Sequence, residues 1–291
     1  MMKRSMDNDT VEGLKHVEAS LNYLVDTEEK PVNYMYQPPP GTPQRTGRYA
    51  PHTMPIHNGR AIREQLSLDQ QGFVLKRHEI EVVNLYDEKE VQTVYYPEVE
   101  RLVKEVTGAA KVLVFDHNVR CAPMAKRGEN GAREPVMVAH NDYTVRSGPQ
   151  RVRDLLEADE AEARLKHRFA VINVWRPIRG PVQDKPLAVC DAQSLAPQDF
   201  VAMDLKYRDR TGEVYLITFS PNHHWFYFPS MQKNEALLLK CYDSMADGRA
   251  RFSAHSAFDD PTTPPQAAAR ESIEARTLVF FAPEAKAKPE H

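Results

Sequence analysis

The chain has 291 residues, enough for one large domain or two small ones at roughly 150 residues each. Its 38 basic and 41 acidic side chains leave a net charge of −3, which excludes a sequence-independent hold on a phosphate backbone, so no nucleic-acid partner is expected. With 41% hydrophobic and 27% charged residues the balance is that of a globular chain and excludes a disordered one.

Residues 1–30 predict a helix, with Thr10 as N-cap and Val11, Leu14, Val17, Leu21 and Leu24 at helical spacing. Residues 31–58, rich in Pro, His, Gly and Thr and carrying Tyr34, Tyr36 and Tyr49, predict an extended segment lying over the body. The stretch 66–75 reads as a short helix that turns at Gly72 into a strand. From Tyr86 to Val106 the stripe Val91, Val94, Tyr95, Val99, Leu102, Val103 and Val106 predicts a helix, closed by Thr107-Gly108. A strand opens at 111–117.

Beyond it short strands are expected at 136–139, 169–175, 187–190, 214–219, 225–228, 236–242, 250–254 and 273–281. Pro, Gly or Asp clusters separate them, and a helical insert interrupts at about 147–166. The fold class expected is mainly β with flanking helices, a β-sandwich or double-sheet jelly roll. The organisation expected is an N-terminal helix and wrap over 1–65, a β domain with N-terminal helices over 66–283, and a frayed tail over 284–291. Three cysteines, Cys121, Cys190 and Cys241, lie too far apart for a disulfide framework or a metal knuckle. The longest apolar run, 169–175, is too short to cross a membrane, and the first ten residues lack the apolar centre of a secretion signal. A reducing cytoplasm is the expected setting, with no membrane partner.

The most informative triplet is His140-Asn141-Asp142, directly after an apolar strand. Residues two apart on a strand share a face, so an imidazole and a carboxylate would project together. With one more histidine they would form the facial triad of non-haem iron(II) oxygenases, which leaves positions open for cosubstrate and dioxygen. The plain alternative is a strand-end histidine bonded to a turn aspartate. His223, His224 and His255 are candidates for the third ligand. His223 and His224 are adjacent and face opposite ways, so only one of them can enter. His255 is followed by Arg270 and Arg276, and a guanidinium beside a metal histidine can clamp the far carboxylate of a dicarboxylate cosubstrate. Both arginines share one strand face by parity. Arg276 is favoured because it enters the apolar run, where an unpaired charge is expensive; its alternative is an ion pair with Glu274 or another buried acid. Arg176, His224, Trp225 and Tyr227 are candidates for a substrate pocket. No catalytic residue is expected beyond the metal centre: GxSxG, HExxH, Walker and GxGxxG motifs are absent. Ligand type alone leaves a zinc hydrolase open.

These residues carry a resemblance. Phe115-Asp-His-Asn-Val-Arg120, Val138-Ala-His-Asn-Asp-Tyr-Thr144, Ile172-Asn-Val-Trp-Arg-Pro-Ile178, Leu239-Lys-Cys-Tyr-Asp-Ser244, His255-Ser-Ala-Phe-Asp-Asp-Pro261 and Arg270-Glu-Ser-Ile-Glu-Ala-Arg276 resemble the CmcJ/AsaB-type hydroxylase/desaturase family. The likeness runs from about Leu66 to Phe281. It implies a double-stranded β-helix, a cupin-like jelly roll, and an iron(II)- and 2-oxoglutarate-dependent dioxygenase. The family pattern gives iron to His140, Asp142 and His255, and 2-oxoglutarate to Arg276, with Arg270, closer in sequence to His255, as the second choice. The activity implied is hydroxylation, desaturation or oxidative cyclisation of a small natural-product intermediate. A catalytically silent accessory protein of such a pathway and a cupin-like hydrolase or lyase are the rival readings.

Overall fold

The computed structural model describes residues 15–25, 27–81 and 84–283. In chain order the first half contains β1 (His16–Leu24), β2 (Val32–Tyr34), β3 (Tyr49–Asn58) and β4 (Phe73–Arg77). Helices α1 (Glu88–Glu90) and α2 (Tyr96–Thr107) follow, then β5 (Lys111–Arg120), α3 (Ala122–Arg127) and β6 (His140–Asn141). The helical insert is α4 (Ser147–Leu155) and α5 (Ala158–Leu165). The second half supplies β7 (Phe169–Pro177), β8 (Leu187–Cys190), β9 (Phe200–Lys206), β10 (Thr211–Ile217) and β11 (Trp225–Tyr227). Last come β12 (Glu235–Asp243), β13 (His255–Ala257) and β14 (Ser272–Phe280).

The strands build two sheets, one of nine strands ordered β1-β3-β11-β8-β13-β6-β10-β9-β2, the other of five ordered β4-β12-β7-β14-β5. Face to face they make the jelly roll that the sequence implied. β7 and β12 lie inside the five-stranded sheet and every one of their residues is buried. A strand covered on both faces has no reason to alternate, which is why 169–175 reads as one apolar run. Ala170, Ile172 and Val174 face outward, where α2 seals them with Val99, Leu102 and Val103. Phe169, Val171 and Trp175 face inward and meet Leu187 and Val189 of the opposing sheet. Each such fully buried aliphatic side chain is worth about 1.5–3 kcal/mol over its exposed state. α2 ends where Gly108 adopts φ +68° and its N–H donates to the Lys104 carbonyl, the left-handed stop that glycine takes without strain.

Several expectations need correction. The N-terminal helix is a strand over His16–Leu24, in which Val17, Ala19, Leu21 and Tyr23 are buried with a period of two. Val17, Leu21 and Leu24 fit helical spacing as well, and pairing with β3 decides for the strand. Thr10, Val11, Leu14 and the tail 284–291 lie outside the described residues. Within 31–58, β3 is a full member of the nine-stranded sheet, and β2 forms its far edge. The strand expected at 136–139 starts only at His140, because β1 takes the backbone groups before it. Asn22 Nδ2 donates to the Met137 carbonyl at 2.7 Å and the Ala139 N–H donates to the Asn22 carbonyl at 2.9 Å. Likewise 250–254 is irregular, its Ser253 N–H spent on Asn141 Oδ1 rather than on a ladder. β9, which pairs with β10 as a hairpin, had no counterpart in the sequence reading.

Candidate metal centre

β6 and β13 are neighbours, and His140 pairs directly with His255 across them. Residues opposite each other on adjacent strands stand side by side, and the two imidazole centroids are 4.4 Å apart. Asp142 shares the His140 face, with Oδ1 3.5 Å from His140 Nε2. His140, Asp142 and His255 each offer one ligand atom, and these atoms all lie within 4.8 Å of one another.

The backbone fixes how the rings point. Nδ1–H of His140 donates to the Val138 carbonyl at 2.8 Å, and Nδ1–H of His255 donates to the Ser253 carbonyl at 3.1 Å. Each ring therefore turns its Nε2 to the shared space, the arrangement found when a carbonyl orients a metal-binding imidazole. Burial, reinforced by the His140 ring, pushes His255 down to about 4, so the ring is uncharged at neutral pH as a ligand must be. Burial alone would raise Asp142, but the Arg276 guanidinium and the two imidazoles hold its carboxyl well below the usual range. Asn141 ties the assembly together. Its Nδ2 donates to the carbonyls of Tyr143 and Cys241 at 2.7 and 2.8 Å, and its Oδ1 accepts from the Ser253 N–H at 3.1 Å.

The wall facing the cluster is the inner face of β7, β14 and β5. Strand register sets three rows across it: Pro177, Ser272 and Arg120; then Trp175, Glu274 and Asn118; then Asn173, Arg276 and Asp116. Between this wall and the histidines is a cavity of about 20 Å³ bordered by Arg120, His140, Trp175, His255, Arg270 and Glu274. Four buried donors on this side have no partner among the described residues: Arg270 Nε, Ser272 Oγ, Trp175 Nε1 and Asn118 Nδ2. Arg270 is only 3% exposed, and apart from a bond from Nη1 to the Lys185 carbonyl its guanidinium has no ion-pair partner among the described residues. Burial and the nearby Arg120 push it down to about 9. A second, polar cavity of about 290 Å³ borders Asp142 and Arg276, with walls from α4 and the β9–β10 hairpin.

Comparison with known proteins agrees with this geometry. A family profile described as "Oxidoreductase/YMDC permease-like domain" matches residues 21–280. The hydroxylase/desaturase efuI of Hormonema carpetanum is 32% identical over 287 residues, covering 91% of this chain and 95% of that protein. The Fe(II)/2-oxoglutarate-dependent dioxygenase nvfI of Aspergillus novofumigatus is 33% identical, covering 85% of this chain and 90% of its own. The solved structure of the iron and alpha-ketoglutarate-dependent endoperoxidase NvfI superposes with a TM-score of 0.83 at 30% identity, over 92% of this chain and 99% of that one. The chain belongs to the hydroxylase/desaturase family.

Within this family fold the arginines expected to share one role are separated. Arg276 does not face the small cavity. Its Nε donates to Asp142 Oδ2 at 3.3 Å, its Nη1 to both Asp116 oxygens at 3.2 Å, and its Nη2 lies 3.8 Å from Glu274. All three nitrogens lie against acids, which is the ion-pair arrangement weighed as the alternative to a carboxylate anchor.

The substrate-pocket candidates also lie elsewhere. Arg176 falls on the outward face of β7, where Nη2 donates to His78 Nδ1 at 2.9 Å and the guanidinium stands over the Tyr95 ring. Trp225 and Tyr227 are fully buried in the core on the outer side, Trp225 Nε1 donating to Tyr23 OH at 2.6 Å. His224 is exposed on a loop beside Ser194. His223 is removed from the ligand choice by Asp199, which its Nε2 meets at 3.0 Å. Sequence reading missed Arg120, Asn173 and Trp175, and named Glu274 only as an ion-pair partner for Arg276. One signal for Asn173 was present: it is the lone polar residue inside the most apolar run of the chain.

Proposed function

We propose that His140, Asp142 and His255 hold the iron of an iron(II)- and 2-oxoglutarate-dependent oxygenase, with the far carboxylate of 2-oxoglutarate on Arg270. The observation that carries the reading is the convergence of two carbonyl-oriented imidazoles and one carboxylate within 4.8 Å. That donor set suits iron(II) and leaves coordination positions free. The orphaned donors of Arg270, Ser272 and Trp175 suit the carboxylate of a dicarboxylate, since an anion would satisfy groups that are otherwise buried at a loss. At about 20 Å³ the cavity has room for one water, so admitting the cosubstrate requires its side-chain lining to part.

Iron held by these residues would supply, with 2-oxoglutarate and dioxygen as co-reactants and succinate and carbon dioxide as co-products, the oxidising power needed at an unactivated C–H bond. The protein's share is placement. Val138 and Ser253 hold the imidazoles, and Arg270 with Trp175 and Ser272 would orient the oxoacid. The substrate is a small organic molecule, a natural-product intermediate, and hydroxylation, desaturation or cyclisation follows from which C–H bond the pocket presents. The 290 Å³ cavity beside Asp142 is the site we assign to it. Among the described residues no helix is long and apolar enough to cross a membrane.

The test is anaerobic titration with iron(II) and 2-oxoglutarate. The expected result is a weak visible charge-transfer band that disappears in His140→Ala, together with slow succinate release in air. Absence of the band and of retained iron in the unaltered protein would refute the assignment.

A further inference from the structure

We propose that Asn173 and Arg276 are positioning residues that occupy one oxygen of Asp142 and reserve the other for the metal. The inference rests on the reading that His140, Asp142 and His255 bind iron, and it concerns how the carboxylate is made to do so.

The geometry is one-sided. Asn173 Nδ2 donates to Asp142 Oδ2 at 2.8 Å and Arg276 Nε donates to the same oxygen at 3.3 Å. Asp142 Oδ1 receives neither donor and faces His140 Nε2 at 3.5 Å. An ionised carboxylate has about four lone-pair sites and turns easily about its last bond. Two donors on one oxygen stop that rotation. They also leave a single oxygen directed at the space the histidines share.

The donors are themselves held. Asn173, Arg276 and Asp116 form one row across β7, β14 and β5, so strand register sets their spacing. Arg276 Nη1 rests on both oxygens of Asp116 at 3.2 Å, which fixes the plane of the guanidinium. Asn173 Nδ2 is shared with Glu274 Oε1 at 3.2 Å, and Arg276 Nη2 is 3.8 Å from that same oxygen. Glu274 is 5% exposed and has no freedom to swing into solvent. The clamp thus extends from Asp142 through two side chains to two further carboxylates, in a rigid sheet rather than a loop. If Arg276 served only to balance the charge of Asp142, Asn173 would be redundant, because its amide carries no charge. That difference makes the idea testable.

The probe is cobalt(II), whose visible absorption reports the number of ligands and which needs no turnover. Arg276→Lys keeps the charge and loses the fork; Asn173→Ser loses the amide donor; Asp116→Asn loosens the guanidinium at a residue whose side chain is 43% exposed, so folding is preserved. The expected result is a 10- to 100-fold weaker cobalt affinity for Asn173→Ser and Arg276→Lys, with an altered visible band. Asp116→Asn should show a smaller loss of a few fold. Retention of wild-type affinity and band in the Asn173 and Asp116 variants overturns the clamp. Loss in Arg276→Lys alone also overturns it, since that pattern assigns Arg276 a role independent of Asn173. A wild-type chain that binds no cobalt, or a His140→Ala chain that binds it equally, overturns the iron reading itself and the clamp with it.

Discussion

Replacing Arg270 by methionine separates two effects that usually travel together. Arg270 is 3% exposed, its Nε has no partner among the described residues, and burial beside Arg120 pushes it down to about 9. A buried cation that makes no ion pair among the described residues is a burden on the empty protein, so Arg270→Met should leave its melting temperature unchanged or raise it. Cosubstrate binding should respond in the opposite direction. A hydrogen bond to a charged group is worth about 1.5–3 kcal/mol, or about 10- to 150-fold in affinity. At 2-oxoglutarate 100 times its dissociation constant, the unaltered protein gains about 2.7 kcal/mol of stability. A 100-fold loss reduces that gain to about 0.4 kcal/mol. For a chain of this size about 2 °C per kcal/mol is expected, so a shift of about 5 °C should fall below about 1 °C. Differential scanning fluorimetry of the metal-loaded protein, with and without 2-oxoglutarate, reads both effects. If Arg270→Met keeps the full cosubstrate shift, Arg270 is not the anchor.

Three other substitutions test the frame around the site. Asn141→Ala leaves two carbonyls and one N–H without the partner they now share, and should destabilise the fold by about 2–3 kcal/mol in urea unfolding while weakening metal retention. Gly148→Ala sets a Cβ 2.8 Å from the Tyr242 ring; the clash, about 1–3 kcal/mol, outweighs or cancels the helix preference of about 1 kcal/mol for alanine, so no stabilisation should appear in denaturant titration. Burial and Arg176 push His78 down to about 4 from 6.5, so the unfolded chain binds more protons between those values. The stability due to neutral His78 is complete above pH 6.5 and is lost as pH falls toward 4, by up to about 1.4 kcal/mol per pH unit. The acid limb of a stability profile should be correspondingly shallower in His78→Gln.

Much of this was readable from pattern. The helix before Gly108, the central strands and the His-x-Asp pair follow from periodicity, turn chemistry and parity, which are local. The edge of the fold was not readable in the same way. Val17, Leu21 and Leu24 satisfy a helical stripe and a strand face alike, and only pairing with β3 settles the matter. The segments just before His140 and His255 are apolar enough for strands, yet their backbone groups are taken by Asn22 and Asn141. These are contacts between residues more than a hundred positions apart, and no window along the sequence contains them.

The two arginines show where parity stops informing. Arg270, Ser272, Glu274 and Arg276 do lie on one side of the chain, as alternation requires. Six residues of extended backbone nevertheless span about 20 Å, longer than the cosubstrate that either arginine was expected to hold. One cosubstrate therefore cannot rest on both. What separates them is their company: Arg276 enters a row with Asp116 and Asn173, while Arg270 meets Arg120 and the Trp175 ring. A cation surrounded by acids is already neutralised and can only position them. A buried cation beside another cation still requires an anion, and in this fold the histidines lie across the cavity where that anion would sit.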